Sequence, residues 1–205
     1  MDLYEAIFKR RDIRKFRPDP VPDDALVRML DAAHHAASVG FMQPWNFIVV
    51  RDRLRRARIK ACFEEHNAAA AQRYSGQRRE LYESLKLEGI LESPLNVCVT
   101  CDRRRGGEVL GRASILDTDL FSTCCAVQNL WLAARAEGIG VGWVSILDNE
   151  RLAEILEIPE GVVPLAYLCV GYPEAFPDEP MLQSVGWRAR LPLDSLVFRD
   201  RFGQA

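Results

Sequence analysis

Apolar residues recur along this chain at two spacings, and the change from one to the other marks its elements. Leu3, Ile7 and Phe8 share one helical face behind Asp2 and Glu5, which stand at capping-box separation, so a first helix is expected to about Arg10. Pro18, Pro20 and Pro22 then break the chain. Asp23 is placed to cap a second helix in which Leu26, Met29, Leu30 and Ala33 recur at helical intervals, ending before Gly40. The stretch NFIVV, Asn46 to Val50, is short, apolar and β-branched, as a buried strand is.

From Arg53 to about Leu91 the spacing is again helical, with an interruption near Tyr74-Ser75-Gly76 and an arginine content that implies solvent exposure. NVCVTC is a second strand and DRRRGGEVLG a loop. Ile115 to Glu137 is a long helix whose small and apolar residues suit the middle of a domain, ended by Gly138 and Gly140. VGWVSI, a short helix from Asn149 to Leu156 and the strand VPLAYLCVGYP complete the core. After Pro173 the chain is proline-rich, yet GWRARLPLDSLVF is too apolar for a frayed tail. Helices flanking a few buried strands make an α+β layer fold, and 205 residues support one domain, 1–205.

Composition alters this picture little. With 48% hydrophobic and 27% charged residues the chain reads as an ordinary folded protein, and a net charge of −2 gives no overall field for nucleic acid, so no such partner is expected. No apolar run approaches bilayer length and the N-terminus is charged, so no membrane association and a cytoplasmic location are expected. The six cysteines mostly lie in apolar stretches and read as small buried hydrophobes. Cys98 and Cys101 form a CxxC with no second pair or histidine at zinc-site spacing. His34 and His35 point in different directions and His66 stands alone, so no metal is expected. Neither GxGxxG nor GxxxxGK[ST] occurs. A phosphate would therefore have to be held by arginines.

The candidate chemistry begins at RRDIRKF, where Asp12 sits among Arg10, Arg11, Arg14 and Lys15. Arg10 and Arg14 are four apart and suited to one anion, although a basic run at a helix end is more often a solvated face complementing the helix dipole. Arg188 and Arg190 form a second alternating pair beside a tryptophan. SVGFMQPW, Ser38 to Trp45, is a turn leading into the first strand.

Together these blocks resemble the nitroreductase-like flavoproteins, which open with an RR[ST]xR motif, carry SxxNxQPW about thirty residues on and close with a basic-x-Arg pair before Pro-Leu. The likeness spans about Leu3 to Leu196. Here Asp12 replaces the hydroxyl residue and Phe41 the asparagine. DLFSTCCAVQNLWLAARAEGIGVGWVSI and LKLEGI are similar to the branch of that family whose members break reduced FMN down to 5,6-dimethylbenzimidazole.

The resemblance implies a nitroreductase-like fold with a central, mostly antiparallel sheet and a domain-swapped homodimer binding FMN at the subunit interface. It implies O2-dependent fragmentation of reduced FMN, with erythrose 4-phosphate as co-product and NAD(P)H serving only indirectly, through a separate flavin reductase. Cofactor contacts fall on Arg10, Arg11, Asp12, Ile13, Arg14, Ser38, Leu87, Gly142, Ser145, Arg188 and Arg190, with Gly140 and Gly142 admitting the flavin closely. Arg10, Arg14, Arg188 and Arg190 anchor phosphate. Asp12 is the candidate base, its charged form favoured by neighbouring cations, or alternatively only orients arginines. Ser145 is the second catalytic candidate and Ser122 its rival, though Ser122 is expected to bond its own helix carbonyls. Residues 67–89, with Tyr74, Tyr82 and Leu85, are a candidate lid, and 174–205 an extension packing on a partner subunit. The alternatives are an FMN-dependent NAD(P)H nitroreductase or flavin reductase that retains its flavin, and a non-catalytic flavin carrier.

Overall fold

The computed structural model describes residues 1–204. Its strands are β1 (Trp45–Val50), β2 (Leu95–Asp102), β3 (Gly140–Val144) and β4 (Val162–Gly171), all antiparallel to their neighbours in the order β1-β2-β4-β3. The helices are α1 (Leu3–Lys9), α2 (Asp23–His34), α3 (Arg53–Ala71), α4 (Gly76–Ser84), α5 (Thr118–Ala136), α6 (Asn149–Leu156) and α7 (Met181–Ser184). This is the α+β arrangement expected from the alternating spacings.

Strand periodicity divides the core in two. Val97, Val99, Leu168 and Val170 face α2 and α5, meeting Met29, Ala126 and Leu130, while Cys98, Tyr167 and Cys169 face α3 and α6, meeting Ile59, Phe63 and Ile155. Each large apolar side chain fully buried this way stabilises the fold by about 1.5–3 kcal/mol. Cys98 and Cys101, three apart on β2, point to opposite faces of the sheet. Both are buried, and burial pushes the Cys98 thiol up to about 12, in keeping with a packing role.

Three local expectations are corrected. Asp23 does not cap α2; Pro22 precedes the first turn, and the Asp23 carboxylate reaches Arg51 at 2.6 Å. The central helix starts at Thr118, not Ile115, because the preceding loop is tied to Asp119, a fully buried carboxylate that accepts from Arg103 at 3.2 Å and Arg112 at 2.7 Å. The helical stretch after Arg53 stops at Ser84 rather than Leu91. There Glu88 accepts from Ile90 N–H at 2.6 Å and Lys60 at 3.0 Å, and buried Arg56 donates to the carbonyls of Ile90, Ser93 and Pro94. Those carbonyls are thereby satisfied without helical turns.

The apolar face of α1 is not buried in its own chain: Leu3, Tyr4 and Phe8 are exposed and only Ala6 is covered. The first residues of the segment 174–205 also make contacts within their own chain. Glu174 N–H donates to the Lys15 carbonyl at 3.2 Å, and the Arg135 guanidinium lies 3.8 Å from the Phe176 ring centre. From Leu191 onward its apolar side chains face solvent. Among the described residues no helix is long and apolar enough to cross a membrane.

Candidate active site

After α1 the chain runs as an extended segment along the free side of β3. Asp12 bridges in parallel to Val141, Ile13 N–H donates to the Val141 carbonyl at 3.0 Å, and Arg17 N–H reaches Tyr172 at 2.8 Å. Two glycines of β3 make this approach possible. A Cβ on Gly140 would stand 2.9 Å from Ile13 Cγ1, and Gly142 lies directly beneath the Ile13 carbonyl. Their openness, expected to admit a flavin, is thus filled by Ile13. Ile13 itself is a core side chain whose N–H is already committed to the sheet.

This seating fixes Asp12. Its Oδ1 accepts from Trp143 N–H at 2.9 Å and its Oδ2 from Arg14 Nη2 at 2.5 Å. The expectation that neighbouring cations would dominate its ionisation is overturned. Burial is the larger effect and raises the carboxyl above its ordinary range, with Arg14, the Trp143 N–H and Arg10 only partly opposing it. The result is a carboxylate more basic than an exposed one.

Arg10, Arg11, Asp12, Arg14 and Arg190 line one cleft of about 760 Å³. Burial lowers the Arg10 pKa most, Asp12 opposes this, and the nearby charges of Arg11 and Arg190 add to it. Crowding like charges in this way makes the cleft receptive to an anion. The Arg11 side chain is clasped to nearby backbone: its terminal nitrogens donate to the carbonyls of Phe8 at 2.8 Å, Arg10 at 2.7 Å, and Asp178. Arg188 follows the same C-terminal segment but does not line the cleft.

Trp131, in the middle of α5, holds this arrangement from below. Its indole N–H donates to the Arg11 carbonyl at 3.3 Å and its ring lies 4.6 Å beneath the Arg10 guanidinium. Helical spacing marks Trp131 only as a core position. Its polar edge in a helix of small residues was the one available signal for a second role.

Ser145 lies two residues past Trp143 and lines a different cavity of about 400 Å³, which also takes in His66 and Asp148. Trp143 borders that cavity, and its backbone N–H donates to Asp12, which lines the arginine cleft. Leu87 packs against the core cluster that includes Ile13 and Phe16, and Lys86 lines a pocket with Asp12, Ile13 and Arg14. Ser38 is not brought to the cleft; its hydroxyl accepts from Gln43 N–H at 3.1 Å and closes its own turn. In that turn Gly40, Phe41 and Gln43 all have positive φ, at 48°, 55° and 49°. Ser122 donates to the Thr118 carbonyl at 2.5 Å, as its mid-helix position predicted, and accepts from Val39 N–H at 3.0 Å.

A glycine-backed extended segment carrying arginines and one carboxylate beside an antiparallel sheet is the framework of a known class. Residues 7–172 match the model of the Nitroreductase family, and the chain belongs to that family. More particularly, it is 42% identical over 193 residues to a 5,6-dimethylbenzimidazole synthase of Rhodospirillum rubrum, covering 93% of this chain and 92% of that one. A protein of the same name from Rhodobacter capsulatus is 41% identical, with coverage of 94% and 93%. Among solved structures, oxidized iodotyrosine deiodinase bound to FMN and 3-iodo-L-tyrosine shares the fold with a TM-score of 0.76 at 21% identity, over 98% of this chain and 99% of that one.

Proposed function

We propose that this chain is an oxidoreductase that fragments reduced FMN with O2 to 5,6-dimethylbenzimidazole and erythrose 4-phosphate. The observation that carries the reading is Asp12, a half-buried carboxylate of raised basicity held between Trp143 and Arg14 in an arginine-lined cleft.

The residues present fit FMN. The buried Nε atoms of Arg11 and Arg14 are donors without a partner among the described residues, the state expected of groups that complete their hydrogen bonds on a ligand. Arg10, Arg14 and Arg190 would hold the phosphate, each charge-assisted contact contributing roughly 1.5–3 kcal/mol before desolvation. Arg188 would join them from the neighbouring position. When bound, FMN supplies the reduced ring that reacts with oxygen and the ribityl chain that is cut.

Asp12 Oδ1 keeps a lone pair beyond the Trp143 N–H, and on that atom Asp12 would accept the proton released from the ribityl end when FMN is bound. The same contacts hold the carboxylate still. Ser145 presents its hydroxyl at the ring end, Leu87 covers one side, and α4 with its flanking residues excludes water. Ser38 and Phe41 lie away from the cleft of their own chain, and we assign them to the site of a second copy in a homodimer. The exposed apolar faces of α1 and of the C-terminal segment would form the contact. Reducing equivalents come from a separate NAD(P)H-dependent flavin reductase in the cytoplasm.

The test is to mix apo-protein with chemically reduced FMN, admit air and follow the visible flavin band. Permanent loss of the band with appearance of the benzimidazole is expected. Simple reoxidation with NAD(P)H turnover would identify a flavin-retaining nitroreductase instead, and neither outcome would leave a flavin carrier.

A further inference from the structure

The stretch that carries Arg188 and Arg190 is fastened to α4 through one tryptophan. The Trp187 ring meets Tyr74 edge-on at 5.2 Å and lies tilted against Tyr82 at 6.2 Å. Arg78, on the exposed side of α4, places its guanidinium 3.6 Å from the centre of the same ring. Both its terminal nitrogens donate to the Trp187 carbonyl at 3.3 Å. Tyr82 is anchored in turn, its hydroxyl donating to Asn67 Oδ1 at 2.7 Å and its ring stacked on Tyr74 at 5.0 Å. On its other side Trp187 N–H donates at 2.9 Å to the carbonyl of Leu182, a residue that lines the arginine cleft together with Arg190. One side chain thus touches the helix proposed to close the site and stands three residues from an arginine proposed to bind phosphate.

We propose that Arg78 and Trp187 are positioning residues that couple occupation of the phosphate cleft to closure of α4, an inference that rests on the reading of the cleft given above. A phosphate gripped by Arg190 restricts the backbone of 187–190. Trp187 then offers Arg78, Tyr74 and Tyr82 an ordered partner instead of a mobile one, so less freedom is lost when α4 docks. Coupling between two sites is reciprocal, so a docked α4 also presents Arg190 to the phosphate. FMN is therefore distinguished from its dephosphorylated form, riboflavin, by how firmly α4 closes as well as by affinity.

The experiment is amide hydrogen exchange over residues 76–87 with saturating oxidised FMN or riboflavin, in the natural chain, Trp187→Leu, Arg78→Ala and the conservative Trp187→Phe. In the natural chain FMN should slow exchange of α4 about fivefold or more beyond riboflavin, the lower end of ordinary coupling factors. That gap should vanish in Trp187→Leu and Arg78→Ala and return in part in Trp187→Phe. Arg78 is exposed, so its replacement carries the test if Trp187→Leu fails to fold. A gap that persists in Arg78→Ala, or no gap in the natural chain when both ligands bind, overturns the coupling. Failure of FMN to bind overturns the reading of the cleft and the coupling with it. FMN bound with the gap present, but no benzimidazole formed from reduced FMN, overturns the proposed reaction and leaves the coupling standing.

Discussion

Gly142 and Ile13 touch backbone to backbone: a methyl group on the Gly142 Cα would stand 2.0 Å from the Ile13 carbonyl oxygen. The missing side chain lets the N-terminal segment lie close enough to β3 for Asp12 to receive the Trp143 N–H. Gly142→Ala should force the segment away, costing about 1–3 kcal/mol as overpacking does and lowering Tm by roughly 2–12 °C. FMN affinity should fall with it. Thermal unfolding and a flavin titration check both, and an unaltered Tm would show that the segment yields without cost.

Asp12→Asn should be more thermostable than the natural chain at neutral pH. The folded-state pKa of Asp12 is raised above its ordinary 3.8, so the folded protein prefers the protonated form. Its favourable contribution is complete below that ordinary value and is lost as pH rises through the raised one. Asparagine mimics the protonated state at every pH. The Tm advantage should therefore be present at pH 7 and disappear on acidification through the window between the two values. Benzimidazole formation should be abolished while FMN still binds; normal turnover by this variant would eliminate Asp12 as the base.

Removing one cleft arginine should be felt through the phosphate alone. Arg10→Ala or Arg190→Ala is expected to weaken FMN binding roughly 10- to 150-fold, corresponding to a charge-assisted contact, with riboflavin affinity little changed. Arg188→Ala should have a smaller effect, since Arg188 does not line the cleft. Trp131→Leu should weaken FMN binding by about 2- to 30-fold by removing the ring beneath Arg10. Isothermal titration with the two flavins separates these outcomes.

Truncation after Arg190 removes Leu191, Leu193, Leu196, Val197, Phe198 and Phe202, all apolar and exposed on the single chain. Light scattering should find the full chain dimeric and the truncated one shifted to monomer, with weakened FMN binding. A monomeric full chain would remove the second copy from the proposed site.

Cys62, Cys98, Cys101 and Cys169 are buried, and burial pushes the thiols of Cys98 and Cys169 up to about 12. None of the four should be labelled by maleimide in native protein, whereas all should react in denaturant. Peptide mapping reads this out, and native labelling of Cys98 or Cys101 would revive a redox role for the CxxC.

What local spacing governs was legible in the sequence, and what distant contacts govern was not. The faces of α2 and α5, the break before Gly76 and the alternation of β2 follow from short-range periodicity. The end of α4 does not, because it depends on Arg56 meeting carbonyls more than thirty residues away. The arginine cleft was readable because its residues form two compact motifs. The ionisation of Asp12 was misread because four adjacent cations are visible in a string of letters while burial against β3 is not. Trp131 was missed for a related reason: one side chain serves both the core and the cleft.

Phe41 sits in the left-handed region of backbone space. A left-handed backbone at φ 55° penalises most L-residues by roughly 1–2 kcal/mol, and asparagine, the residue of the family motif, is among the few that adopt it readily. Phenylalanine holds the position although its ring is 83% exposed on the lone chain. The strain at Phe41 is therefore expected to be offset by contacts its ring makes in the proposed homodimer rather than within its own chain. A library randomised at this codon should accordingly enrich asparagine or glycine when screened for yield, and return to phenylalanine when screened for benzimidazole output.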